Sequence, residues 1–162
     1  MRTILWLCNN PTPQASEAFG CGTFSVGGWM VWLSEEIGRS KENHLCLAFP
    51  SRQVSCVKKA SMNNIDYFAI PNTAKNSWTY DCDYESRFEE LIDMTSPDVI
   101  HIWGTEYQHS LALVNACKKK KVLNRCVVSI QGLVSVYTKY YLGNLSEKEK
   151  KSWTLRDIVK NN

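Results

Sequence analysis

A chain of 162 residues with 44% hydrophobic composition and six tryptophans carries enough apolar surface for the core of one domain, and too little length for two. Its charged fraction of 22% and formal net charge of +3 are those of an ordinary globular protein and exclude the basic excess of a dedicated nucleic-acid binder. Seven cysteines, odd in number and without a CxxC pair, argue against a disulfide framework and against a zinc site written in local spacing. Reduced thiols in a cytoplasmic protein fit that usage. Cys46 and Cys126 sit in apolar runs, where a thiol acts as a small buried hydrophobe.

The opening run Ile4-Leu5-Trp6-Leu7-Cys8 is too short for a signal core or a membrane span, and no later run approaches either length, so a soluble chain is expected. The run reads as a buried strand stopped by the turn residues Asn9 to Pro13. A loop of small residues leads to Gly27-Gly28. Trp29, Trp32, Leu33 and Ile37 then follow at the spacing of an amphipathic helix, closed by Gly38. Leu45 to Phe49, stopped by Pro50, and Ile65 to Ile70, stopped by Pro71, are two further strands. Tyr84 to Met94 has Phe88, Leu91 and Ile92 at helical spacing and ends at Ser96-Pro97. Val99 to Trp103 is a strand, His109 to Lys119 a helix and Cys126 to Ile130 a strand. Beyond Ile130 the pattern weakens, although Ser146 to Glu149 and Thr154 to Asp157 each resemble a capping box. Apolar runs that do not alternate, joined by helices, predict an α/β fold: a Rossmann-like, mostly parallel sheet with helices on both faces.

Ligands of such sheets bind beyond the carboxyl ends of the strands. Three segments lie there. Gly27-Gly28 precedes a helix, where backbone amides and the helix dipole suit a diphosphate; a tight turn without a ligand explains the same residues. Neither a dinucleotide fingerprint nor a Walker motif is present. The segment Trp103-Gly104-Thr105-Glu106-Tyr107-Gln108-His109 mixes aromatic and polar side chains, as a sugar site does: Trp103 or Tyr107 for a pyranose face, Glu106 and His109 for hydroxyls. Thr105 or Glu106 is equally suited to capping the next helix, and His101 within the strand to a satisfied core position. Gln131-Gly132, past the last strand, offers an amide for an acceptor hydroxyl or a plain turn. Lys118 to Lys121 form a solvated helix end, with peripheral contact to anionic lipid at the inner face of a membrane as the second reading.

Taken in order, the first strand, the Gly27-Gly28 loop, the segment Pro97-Asp98-Val99-Ile100-His101-Ile102-Trp103-Gly104 and the segment Val127-Val128-Ser129-Ile130-Gln131-Gly132 resemble the amino-terminal domain of family 4 glycosyltransferases. The resemblance covers most of the chain. It implies one half of a GT-B fold, with residues 1–162 as the acceptor-binding domain and the donor-binding carboxy-terminal domain absent. It further implies a retaining transferase that moves a sugar from a nucleotide-sugar co-substrate to a glycan or lipid-linked acceptor in cell-surface polysaccharide synthesis, with no metal or other cofactor. Gly27 and Gly28 would touch the donor diphosphate, and Trp103, Gly104, Thr105, Glu106, His109, Gln131 and Gly132 would line the acceptor side. Ser25 stands where many members have lysine, and Gln131 where many have histidine. With half the cleft missing, weak acceptor affinity and no transfer by this chain alone are expected. A natural subunit of a split transferase, and a non-catalytic Rossmann-like nucleotide-binding or regulatory module, are the competing readings.

Overall fold

The computed structural model describes residues 1–20, 28–73, 80–130, 132–143 and 145–152. The apolar runs form the strands β1 (Arg2–Leu7), β2 (Asn43–Ser51), β4 (Ile65–Pro71), β5 (Val99–Trp103) and β6 (Cys126–Ser129), with a shorter polar strand β3 (Lys58–Met62). They build one sheet in the order β3-β4-β2-β1-β5-β6, in which every pairing is parallel except β3 with β4. Helices α1 (Pro13–Phe19), α2 (Gly28–Arg39), α3 (Asp83–Thr95) and α4 (Gln108–Lys119) lie between the strands in sequence.

Side chains alternate across a strand, so the inner runs feed two cores, while Val127 and Val128 of β6, at the edge of the sheet, stay exposed. Leu5, Leu7, Cys46, Ala48, Phe68, Ile70, Ile100 and Ile102 pack against Phe88, Leu91 and Ile92 of α3 and Leu113 and Ala116 of α4. Trp6, Leu45, Leu47, Phe49, Ile65 and Tyr67 pack on the opposite face against Ala15 and Phe19 of α1 and Met30, Leu33 and Ile37 of α2. Helices therefore cover both faces, as the unalternating runs predict. Each large side chain so buried contributes roughly 1.5–3 kcal/mol of transfer free energy.

Two elements depart from the expected order. The stretch Pro13–Phe19, expected as loop, is helix α1: Thr12 Oγ1 accepts from the Ala15 amide at 3.2 Å, Pro13 stands in the first turn, and Gly20 closes the helix at φ +65°. The strand β3 turns onto β4 through Asn63 and Asn64, both at positive φ, which makes an antiparallel edge on an otherwise parallel sheet. Its residues Lys58, Lys59 and Ser61 suit an edge and carry no apolar run to signal a strand.

The chain divides into two compact units, Met1–Gln131 and Gly132–Asn162. Within the second, α5 spans Val134–Tyr140 and α6 spans Glu147–Lys150. α6 opens on the expected capping box: the Glu149 amide donates to Ser146 Oγ, and the Ser146 amide donates to Glu149 Oε2 at 2.9 Å. Thr154 to Asp157 lies outside the described residues. Among the described residues no helix is long and apolar enough to cross a membrane.

Candidate functional site

Strands β1 and β5 are parallel neighbours, with Leu7 opposite Ile102, so Asn9 and Gly104 emerge close together at the carboxyl end of the sheet. Gly104 has φ +99° and its amide donates to the Ser129 carbonyl at 2.9 Å, fixing the exit of β5 against β6. A Cβ at this position would lie 2.2 Å from Glu106 Oε2 and 3.0 Å from Asn9 Nδ2. Glycine is favoured here by the backbone angle, and its lack of a side chain leaves the room into which the Glu106 carboxylate folds back over the turn.

Asn9 joins the group. Its Nδ2 faces Glu106 Oε2 at 3.5 Å, which turns its Oδ1 toward His109 Nε2, 2.9 Å away. An amide oxygen accepts only, so the imidazole carries its proton on Nε2 and donates to Asn9. His109 is 5% exposed, and burial lowers its pKa to about 4, leaving the ring neutral near pH 7. The Tyr107 ring lies parallel to it, with centroids 5.5 Å apart, and is itself exposed.

An aromatic group adjoins this turn. Trp103 meets Trp6 edge-on at 5.2 Å and Trp29 at 4.9 Å, while His101 stacks on it at 3.8 Å. His101 Nε2 is bonded to Ser129 Oγ at 2.7 Å, and burial shifts its pKa downward, so it is a satisfied strand residue. Trp103 differs. Its indole Nε1 is buried and finds no acceptor among the described residues, at a cost of about 1–3 kcal/mol for an unmet donor. Trp29, the second residue of α2, keeps half of its surface exposed.

Of the residues singled out in the sequence, the structure brings Trp103, Gly104, Glu106 and His109 together, and it sets Trp29, next to Gly28, against Trp103. Gly28 is the first residue of α2, and a Cβ there would meet nothing within 4 Å. Thr105 turns the other way, into an apolar groove of about 250 Å³ between α4 and the β5–β6 edge, with Ile102, Ser110, Leu111, Val114 and Val128. Neither Thr105 nor Glu106 caps α4, whose N-cap is Tyr107 without a side-chain bond. Gly132 belongs to the second unit, where a Cβ would collide with Tyr137 at 2.6 Å. Gly27 and Gln131 lie outside the described residues. Asn9 was legible in the sequence only as a turn residue; its place directly after β1, at the ligand end of the sheet, is the signal that marks it.

Protein-family models, curated proteins and solved structures give no match to the chain. The chemistry of the site rests on its own groups: an exposed carboxylate, a primary amide, a neutral imidazole, an indole N–H that finds no acceptor among the described residues, and the exposed rings of Trp29 and Tyr107. Aromatic faces beside a few convergent hydrogen-bonding groups are the elements from which small-ligand sites are built.

Proposed function

We propose that this chain is the acceptor-binding half of a retaining glycosyltransferase of the family 4 type, receiving a glycan or lipid-linked sugar in cell-surface polysaccharide synthesis. The observation that carries the reading is the Trp29–Trp103 contact with its unmet indole N–H, set directly beside the Gly104 turn that gathers Asn9, Glu106 and His109. The resemblance of the strand-five and strand-six segments supports it, as does a parallel α/β sheet of the kind from which each half of a GT-B enzyme is built.

In this reading the exposed rings of Trp29, backed by Trp103, and of Tyr107 hold a pyranose, and Glu106 accepts from a hydroxyl. His109 fixes Asn9 through its Nε2 proton. A donor-binding domain, in cis or as a partner chain, supplies the groups that stabilise the departing nucleotide diphosphate, and the resemblance assigns Gly27 and Gly28 to its contact from this side. The nucleotide sugar is the co-substrate, and no cofactor enters. Calorimetry tests the assignment. Neutral oligosaccharides are expected to bind with Kd near the millimolar range, about 4 kcal/mol, and Trp29→Ala to weaken them roughly tenfold. Tight binding of a nicotinamide dinucleotide, or robust sugar transfer by the purified 162-residue chain, would overturn it.

A further inference from the structure

A second group of chemistry-bearing side chains lies at the opposite, amino end of the sheet, away from the sugar site. His44 and Cys46 are two residues apart on β2 and point to the same face; Asp66 is the register partner of Cys46 on β4. His44 Nε2 stands 2.9 Å from Asp66 Oδ2, and one ligand atom from each of the three residues falls within 4.8 Å of the others. We infer that His44, Cys46 and Asp66 form a binding site for a single divalent cation of the zinc class.

The donor set selects the ion. Imidazole nitrogen, thiolate and carboxylate together suit zinc or cobalt, whereas calcium and magnesium take oxygen ligands only. A tetrahedral zinc site holds its ligand atoms about 3.5 Å apart, so side-chain rotations that close roughly 1 Å complete it. The carboxylate is already oriented: Ser61 donates to Asp66 Oδ1 at 2.6 Å, leaving Oδ2 facing His44. That is how an outer-shell partner fixes a ligating carboxylate. His44 and Asp66 are reached from solvent, since with Ser61, Arg39 and Lys41 they line a groove of about 400 Å³ from which water supplies the fourth ligand, while Cys46 closes the site from the buried side.

Lys59 is the competitor. Its Nζ lies 2.7 Å from Asp66 Oδ2, and the side chain is nearly half exposed, so it can swing into solvent when a metal takes that oxygen. Cys46 is 2% exposed, and burial, with the Asp66 charge, pushes its thiol up to about 12. Without a metal it stays protonated and unreactive. On binding, the S–H bond breaks, the sulfur lone pair is given to the metal and the proton leaves to solvent.

Cobalt titration under a phosphine reductant tests this, read by the thiolate-to-cobalt charge-transfer absorption and by the shift in thermal midpoint. Wild type is expected to bind one cobalt per chain, displaced by zinc, with a raised midpoint. His44→Ala and Asp66→Asn are expected to weaken binding at least about a hundredfold, and Ser61→Ala about tenfold, as outer-shell losses do. Lys59→Met should strengthen it several-fold. Cys46→Ala removes the charge-transfer band; His44→Ala, at a half-exposed position, guards against a variant that simply fails to fold. No charge-transfer band in wild type, a band that survives Cys46→Ala, or wild-type affinity in His44→Ala would overturn the site.

Discussion

Gly104 and His109 set the geometry of the proposed sugar site, each by a different physical constraint. Replacing Gly104 with alanine puts a methyl group where Glu106 Oε2 now lies and asks an L-residue to hold φ +99°. The expected loss is about 1–3 kcal/mol in denaturant unfolding. His109 makes its own prediction. Its folded pKa of about 4 lies below the unfolded value of about 6.5, so in this window the unfolded chain takes up the proton first. Stability is full above pH 6.5, falls as the pH drops toward 4 by up to about 3 kcal/mol, and His109 adds no further loss below that. His109→Asn should flatten this part of the pH profile. Glu106 and His109 were legible because they follow a strand end. Asn9 was not, since its partner is 100 residues away and only the pairing of β1 with β5 brings them together.

Long apolar runs announced β1, β2, β4, β5 and β6, and helical spacing announced α2, α3 and α4, because in each the apolar signal is repeated several times over, even where Trp32 of α2 and Val127 and Val128 of β6 stay exposed. α1 and β3 were missed for want of repetition. One short helix carries its signal in its ends, Thr12-Pro13 and Gly20, and one edge strand carries it in the Asn63-Asn64 turn. Thr12→Ala is accordingly expected to cost about 1 kcal/mol, measured as a lowered urea midpoint with an unchanged slope. The Lys118 to Lys121 stretch gains a defined role between α4 and α3: Lys119 pairs with Glu85 at 2.7 Å and Glu89 at 3.2 Å, and Lys120 with Asp93. Two of the four lysines are thereby engaged by the neighbouring helix. Glu85 also accepts from Asn115 and from Tyr80, and Lys119 with these neighbours holds its carboxyl down to about 2. Its contribution is present above about pH 4.5 and is lost as the pH falls toward 2, a window below that of His109.

Across the whole molecule, the parallel order of the sheet places two chemically distinct groups at its two ends. Aromatic faces and hydrogen-bonding groups gather where β1 and β5 finish, and the His44–Cys46–Asp66 cluster gathers where β2 and β4 begin. The architecture was readable from sequence because burial on both faces leaves runs that do not alternate. The sites were readable only in part, because each depends on residues that adjacent strands bring together. The most direct test of the proposed sugar-binding role is a heteronuclear NMR titration with neutral oligosaccharides, following the indole N–H signals of Trp29 and Trp103 and the side-chain amide of Asn9. Progressive, saturable shifts at these three positions are the expected result. A Trp103 indole signal that stays fixed under saturating sugar, and moves instead with a nicotinamide dinucleotide at micromolar concentration, would contradict it.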